Sequence, residues 1–475
     1  MILLVPDRTH PLTARPTAAR ASLIAARLDR LPFSRTLWHL VALLSLGGAF
    51  EFYDMFLSAY VAPGLVASGL FSTTTAGLFA PTGIGFFVFC TFAGMFVGCM
   101  GFGFIADRFG RRSIFITSLA WYSVWSAVMA FQNTAAAVDL CRFLAGVGVG
   151  LEQVTIDTFL PELVPPRTRG KAFAFCQFLQ FVAVPVVALL GWLLVPKQPL
   201  GMAGWRWVTL IGSAGALLAW WFRRDLPESP RWLALHGRQI DAEAVLSRLE
   251  SAVSRDLGIP LPPPAPAIET TEGSSAFREL FRPPYRRRTL VMSLFNLVQT
   301  VGFYGFGSWV PTLLMAKGIR ITSSLEYAFL IAIANPVGPL LGMFVADRME
   351  RKWQIVSAGA GIGIFMFLFA RQTNAAIVIL FGVIVTLSNN WMSFALHNYQ
   401  GEMFPTRVRG RAVGFVYAWS RLSAAFAGLL IGFFLKEGGA SGVSWFIAGA
   451  MVILIVTIAG FGPRTRHLAL EEIAR

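Results

Sequence analysis

Along the chain, mostly apolar runs long enough to cross a bilayer alternate with short polar segments. Twelve such runs begin near Trp38, Leu78, Ser113, Val138, Ala172, Trp205, Thr289, Leu325, Trp353, Ala375, Ala412 and Val443. About 20 apolar residues in helical conformation span the hydrocarbon core, so each run predicts a spanning helix. Six runs precede a long polar stretch and six follow it. The expected divisions are an N-terminal segment (1–37), a first six-helix half (38–222), a central loop (223–288), a second six-helix half (289–462) and a tail (463–475).

The halves repeat. Asp107, Arg108, Arg111 and Arg112, in the turn between spans 2 and 3, recur 240 residues later as Asp347, Arg348, Arg351 and Lys352. Glu162, Pro165, Arg169 and Gly170 recur at the same offset as Glu402, Pro405, Arg409 and Gly410. A fixed-period repeat of this length points to tandem duplication. The copies are unequal, because Glu350 stands where the first has Gly110, and Met343 where it has Gly103. Gly101 to Ala106 also fits a G-x-G-x-x-A nucleotide fingerprint, but that motif needs a short strand before it and a helix opening at its glycines. A run of more than 20 mostly apolar residues precedes it here, which removes the nucleotide reading.

Composition agrees with a membrane protein: 55% of residues are hydrophobic and 14% charged, with 42 Phe, against about 25% charged in soluble domains. The net charge of +15 would suit a nucleic-acid partner were it not for where the cations lie. The tails and loops on the side of the Asp107 turn hold 32 of the 40 Lys and Arg. That is the positive-inside pattern; it predicts cytoplasmic termini, fits the inner (plasma) membrane of a bacterium, and makes nucleic acid unnecessary. Cys90, Cys99, Cys141 and Cys176 fall in apolar runs and read as reduced packing residues. In the N-terminal segment Ile24, Leu28 and Leu31 share one helical face, which predicts an amphipathic helix lying on the inner leaflet. Its Arg-rich, acid-poor composition also suits a transit peptide.

Ionisable groups inside spans are costly and mark functional candidates. Span 1 carries Glu51 and Asp54 one turn apart; span 4 carries Arg142, Glu152 and Asp157, with Gly146, Gly148 and Gly150 allowing close helix approach. Span 5 has Gln177 and Gln180, span 7 Asn296, Gln299 and Tyr304, span 8 Asn335, span 10 Asn389, Asn390, Trp391 and His397, and span 11 Arg421. The first half thus holds the buried acids, and the second mostly neutral polar groups and one cation. His397, near the cytoplasmic end of span 10, reads as a packed or interfacial residue rather than a proton relay.

Two six-span halves with a D-R-x-G-R-R turn resemble the major facilitator superfamily over nearly the whole chain. The resemblance implies an all-α fold of twelve transmembrane helices in two pseudo-symmetric halves that rock about a central cavity. It also implies a cytoplasmic gate built from Asp107, Arg108, Gly110, Arg111, Arg112, Glu162 and Arg169, and in the second copy from Asp347, Arg348, Glu402 and Arg409. Pro227 to Leu233, Arg142-x3-Gly146 and the E-x2-P-x3-R-G segments are similar to sugar-porter signatures. By that similarity Asp54 pairs with Arg142 for proton coupling, and Gln177 contacts substrate. Span 10 lacks the G-P-x-x-W run of those porters, and no P-E-T-K-G follows span 12. Trp419-Ser420-Arg421 looks more like the metabolite and aromatic-acid proton symporters, where a span-11 arginine is associated with anionic substrate.

The expectation is a secondary active transporter, not an enzyme, moving a small polar metabolite, foremost an organic acid, by proton-coupled alternating access. A proton-coupled sugar transporter is the alternative, and a transporter-like solute sensor a third reading. Proton coupling falls to Asp54, Arg142, Glu51, Glu152 and Asp157, with rocking expected to part Asp54 from Arg142. Substrate binding falls to Gln177, Gln180, Asn296, Gln299, Tyr304, Asn389, Asn390, Trp391 and Arg421. No metal or organic cofactor is implied, the proton being the coupling ion; the partners are a small-molecule substrate and the lipid bilayer, with the chain acting as a monomer.

Overall fold

The computed structural model describes residues 14–166, 168–222, 226–264, 277–340, 349–404 and 406–463. Among them the chain is helical, without strands. After α1 (Ala14–Asp29), the first half comprises α2 (Arg35–Ala67), α3 (Gly83–Phe109), α4 (Arg111–Met129), α5 (Ala135–Leu163), α6 (Arg169–Leu194) and α7 (Gly204–Phe222). The central loop contributes α8 (Pro230–Leu235) and α9 (Gln239–Leu257). The second half comprises α10 (Tyr285–Gly307), α11 (Val310–Ala316), α12 (Ile321–Ala332), α13 (Arg351–Arg371), α14 (Ala375–Glu402) and α15 (Thr406–Phe461). Helix stands at each of the twelve expected span positions.

Two spans break in ways their residues explain. The chain leaves helical geometry after α12 and resumes it at 337, because Pro336 has no N–H to donate and disfavours helix at Asn335. Spans 11 and 12 run together as α15, with one non-helical residue, Gly439, at φ 59° and ψ −153°. The repeat extends to helix capping: Thr134 Oγ1 accepts from the Ala137 amide at 3.4 Å, and Asn374 Oδ1, 240 residues on, accepts from that of Ile377 at 3.3 Å. Each satisfies one of the orphan donors of its helix.

The expected close approach at span 4 is present. A Cβ on Gly94 or Gly98 of α3 would overlap the Phe143 or Val147 carbonyl oxygen of α5, and one on Gly146 or Gly150 would overlap the carbonyls of Thr91 or Met95. Backbone touches backbone, so no side chain can yield. Gly98→Leu should therefore destabilise the first half by about 3 kcal/mol, read as a lower melting temperature of purified protein; unchanged melting would contradict this packing.

The N-terminal helix differs from expectation. Ile24, Leu28 and Leu31 are 2–3% exposed and join one apolar cluster with Trp232, Leu233, Leu246, Leu249 and Val253 of α8 and α9. Arg27 pairs with Glu243 at 2.5 Å and Glu250 at 2.6 Å, Arg30 with Glu250 at 2.6 Å, and Asp29 with Arg231. The apolar face is thus covered by protein instead of lying on lipid. Periodicity predicted the face but not its partner, since α9 is about 220 residues away in sequence. No disulfide joins the four cysteines.

Candidate functional site

A cavity of about 860 Å³ lies between the halves. Phe52, Gln153, Gln177 and Gln180 line it from the first half, and Gln299, Tyr304, Asn390, His397 and Tyr417 from the second. It reaches Lys171 and Arg351, at the end of the bundle that carries the repeated basic turns. At the other end the halves meet closely. Gly85 of α3 lies against Gly428 of α15, the rings of Phe89 and Phe426 are 5.7 Å apart, and Trp192 stacks on Phe329 at 5.7 Å. The cavity is therefore accessible from one side of the membrane and sealed from the other.

Arg421 stands behind this wall, 2% exposed and reaching the cavity through residues that line it. Its Nη1 donates to the Tyr304 hydroxyl at 2.7 Å, and Nη2 to the Tyr417 hydroxyl at 3.2 Å and to Gln153 Oε1. The guanidinium carbon lies 5.9 Å from the Tyr304 ring centroid and 5.1 Å from that of Tyr417. Its Nε is buried with no hydrogen-bond partner, and no carboxylate pairs with it among the described residues. Three of its neutral partners line the cavity. A desolvated cation held only by neutral oxygens leaves its charge unmet, and the planar fork suits a carboxylate. The described lining includes Lys171, Arg351 and His397 and no acid.

Asp54 and Arg142 meet, but away from that wall. Arg142 Nη1 lies 2.7 Å from Asp54 Oδ2, Nη2 donates to the Asp54 carbonyl, and Nε donates to Ser58 and Thr91, each at 3.0 Å. Asp54 Oδ1 accepts from Ser126 at 2.6 Å. The carboxylate borders a void of about 10 Å³ beside Tyr53, Ser126 and Ser213, inside the first half. All five residues of the network belong to that half, so rigid rocking of the halves does not part the pair, contrary to the expectation above.

The other expected site residues divide. Gln177, Gln180, Gln299 and Tyr304 line the large cavity. Asn390 lines both it and a side cavity of about 30 Å³ that Asn389 also borders. Asn296 and Trp391 are not on the wall; Asn296 donates instead to the Met292 carbonyl at 2.9 Å. Glu51 and Glu152 are wholly buried. The side chains of Asp157, Asp107 and Arg409 lie outside the described residues, as do Asp347 and Arg348 entirely. Gln153 and Tyr417 were missed: they are polar positions in apolar runs as Gln299 and Tyr304 are, but only their contacts with Arg421 show that they matter. His397 is exposed on the cavity lining, with its ring 5.7 Å from that of Tyr417.

At the turn ends the repeat is visible as chemistry. Arg111 pairs with Glu162 at 3.2 Å, and Arg351 with Glu402 at 3.4 Å; Arg169 reaches Asp29 at 3.7 Å. Arg108 is exposed beside Phe109. Gly110 sits at φ 96°, where a side chain would meet the carboxylate of Glu228 from the central loop. Glu228 Oε1 accepts from the Arg112 amide at 3.1 Å and the Ser229 amide at 3.0 Å, satisfying the start of α4. Burial pushes the Glu228 carboxyl up, opposed by these backbone donors. In the second copy Glu350 takes φ −55° and needs no glycine. Gly110→Ala should cost about 1–3 kcal/mol, measured as a lower melting temperature; equal melting would mean that the turn relaxes freely.

Residues 40–475 match the family model described as sugar (and other) transporter. YyaJ of Bacillus subtilis, provisionally named a metabolite transport protein, is 32% identical over 460 residues, covering 96% of this chain and 97% of its own. The niacin transporter NiaP of Acinetobacter baylyi is 24% identical, covering 95% and 99%. Among solved structures, the inward-open xylose transporter XylE of E. coli superimposes with a TM-score of 0.71 at 20% identity, over 92% of this chain and 99% of that one.

Proposed function

The chain belongs to the sugar (and other) transporter family of the major facilitator superfamily, and from that premise we propose that it takes up a small organic acid, driven by protons. It is a membrane transporter of a small molecule and not an enzyme. The observation that carries the acid reading is Arg421, a buried cation directly behind the cavity lining whose partners among the described residues are neutral. The likeness to a transporter whose name specifies niacin, a carboxylic acid, supports the same reading.

The basic loops assign the cavity mouth to the cytoplasm, so this conformation releases substrate inward, from a bacterial inner membrane, in a monomer with both termini cytoplasmic. Substrate enters from the opposite side after the Gly85 and Gly428 contact parts and the halves rock. The Lys171 and Arg351 side chains, with no acid among the described lining, give the mouth a positive bias that draws an anion along it.

Coupling runs through α2. Phe52 faces the cavity and Asp54, two residues on, is turned by about 200° toward Arg142. A rotation of α2 on substrate release therefore reaches the carboxylate without parting the halves. When Asp54 takes a proton, Arg142 keeps the Asp54 carbonyl, Ser58 and Thr91, so the cation stays anchored while the ion pair opens. Glu51 and Glu152, both wholly buried, are further candidate proton carriers.

The polar amides of the cavity keep a proton-coupled sugar transporter as the second reading. Uptake into proteoliposomes with an imposed pH gradient, using a panel of carboxylates and neutral sugars, separates the two. Accumulation of sugars but not carboxylates would overturn the acid reading, and binding without counterflow would mark a sensor.

A further inference from the structure

Beside the main cavity lies the smaller one of about 30 Å³, bordered by Asn335, Thr386, Asn389 and Asn390 among apolar neighbours that include Phe303 and Ala332. Asn390 and Phe303 border both spaces, so the small one adjoins the large. Two acceptors in it are unmet. Asn389 Oδ1 and Asn390 Oδ1 are buried without hydrogen-bond partners, on residues 4% and 2% exposed. The Asn390 amide is oriented by donating to the Asn335 carbonyl at 3.1 Å, and Asn335 donates to the Ala332 carbonyl at 3.0 Å. Asn335 lies where span 8 is broken, so the C-terminal end of α12, which carries partial negative charge, ends at the chamber.

Buried acceptors left unmet cost about 1–3 kcal/mol each, and a negative helix end adds to the preference for a donor. The volume, about 30 Å³, exceeds the roughly 10–15 Å³ that one water needs, so it has room for a small donor group.

Resting on the carboxylate reading of Arg421, we propose that the side chamber is a second subsite, which takes a terminal hydroxyl or ammonium group carried by the substrate at the end remote from its carboxylate. Asn389 and Asn390 accept from that group while Arg421 holds the acid, and the polar donor selects ω-hydroxy or ω-amino acids over plain ones.

The test compares hexanoate, 6-hydroxyhexanoate and 6-aminohexanoate as ligands of the purified transporter by calorimetry. The expected result is about tenfold tighter binding of one of the two donor-bearing acids than of hexanoate, and the pair themselves distinguish hydroxyl from ammonium. In Asn389→Leu the difference should vanish, and in Asn389→Asp the preference should move to 6-aminohexanoate. Equal binding of all three, with hexanoate binding lost in Arg421→Gln, would overturn the subsite and leave the acid reading standing. Undiminished binding in Arg421→Gln, or no binding of any of the three, would overturn both.

Discussion

Arg421→Gln should abolish carboxylate uptake, raising the apparent KM by on the order of 10²-fold or more, the scale for losing one partner of a buried charge pair. The glutamine still reaches a tyrosine hydroxyl but brings no charge, so the loss is one of anion recognition and not of packing. Arg421→Lys should recover only part of it, because an ammonium cannot form the two parallel hydrogen bonds of a guanidinium fork. The check is initial-rate uptake of a transported acid in proteoliposomes, alongside a melting curve for each variant. A stable Arg421→Gln protein with unchanged KM would remove Arg421 from the substrate site. Removing a buried cation that lacks a carboxylate partner should leave the fold intact or stabilise it, which keeps the two readouts separate.

Asp54→Asn should eliminate pH-driven accumulation while substrate exchange across the membrane continues. Asparagine retains the size of the side chain and an oxygen toward Arg142, whose other contacts to the Asp54 carbonyl, Ser58 and Thr91 do not depend on the carboxylate. The proton-carrying step disappears, and with it the free energy drawn from the gradient, about 1.4 kcal/mol per pH unit. Counterflow should fall by less than about tenfold and lose its dependence on internal pH. Accumulation against a gradient in this variant would overturn the assignment and turn attention to Glu51 and Glu152. Asp54→Ala is a poorer test, because it removes the side-chain acceptors as well as the charge and leaves the buried Arg142 and Ser126 donors short of a partner.

Much of the site was legible because membrane insertion makes polar residues conspicuous. Asp54, Arg142 and Arg421 stand out in apolar runs on cost alone, and Gln177, Gln180, Gln299 and Tyr304 stand out as polar positions in otherwise apolar helices. What those positions face was not legible. Asp54 and Arg142 were expected to part as the halves rock, and the structure holds both within one half, 88 residues apart in sequence. Gln153 and Tyr417 are polar positions of the same kind, and matter because Arg421 reaches them. Glu228, in a loop read for its family signature, acts by capping α4, a contact spanning 116 residues.

Three things follow from order along the chain: the twelve spans, the duplication at 240 residues and the side on which the basic turns lie. Each depends on local hydrophobicity or on residue identity at a fixed offset, and neither needs a partner. The burial of Ile24, Leu28 and Leu31 against α9, the seal where Gly85 meets Gly428, and the neutral surroundings of Arg421 depend on which distant helices pack together. A charge in a bilayer can be read from sequence as expensive, but whether an internal carboxylate or a substrate answers it is decided by the neighbours that the fold supplies.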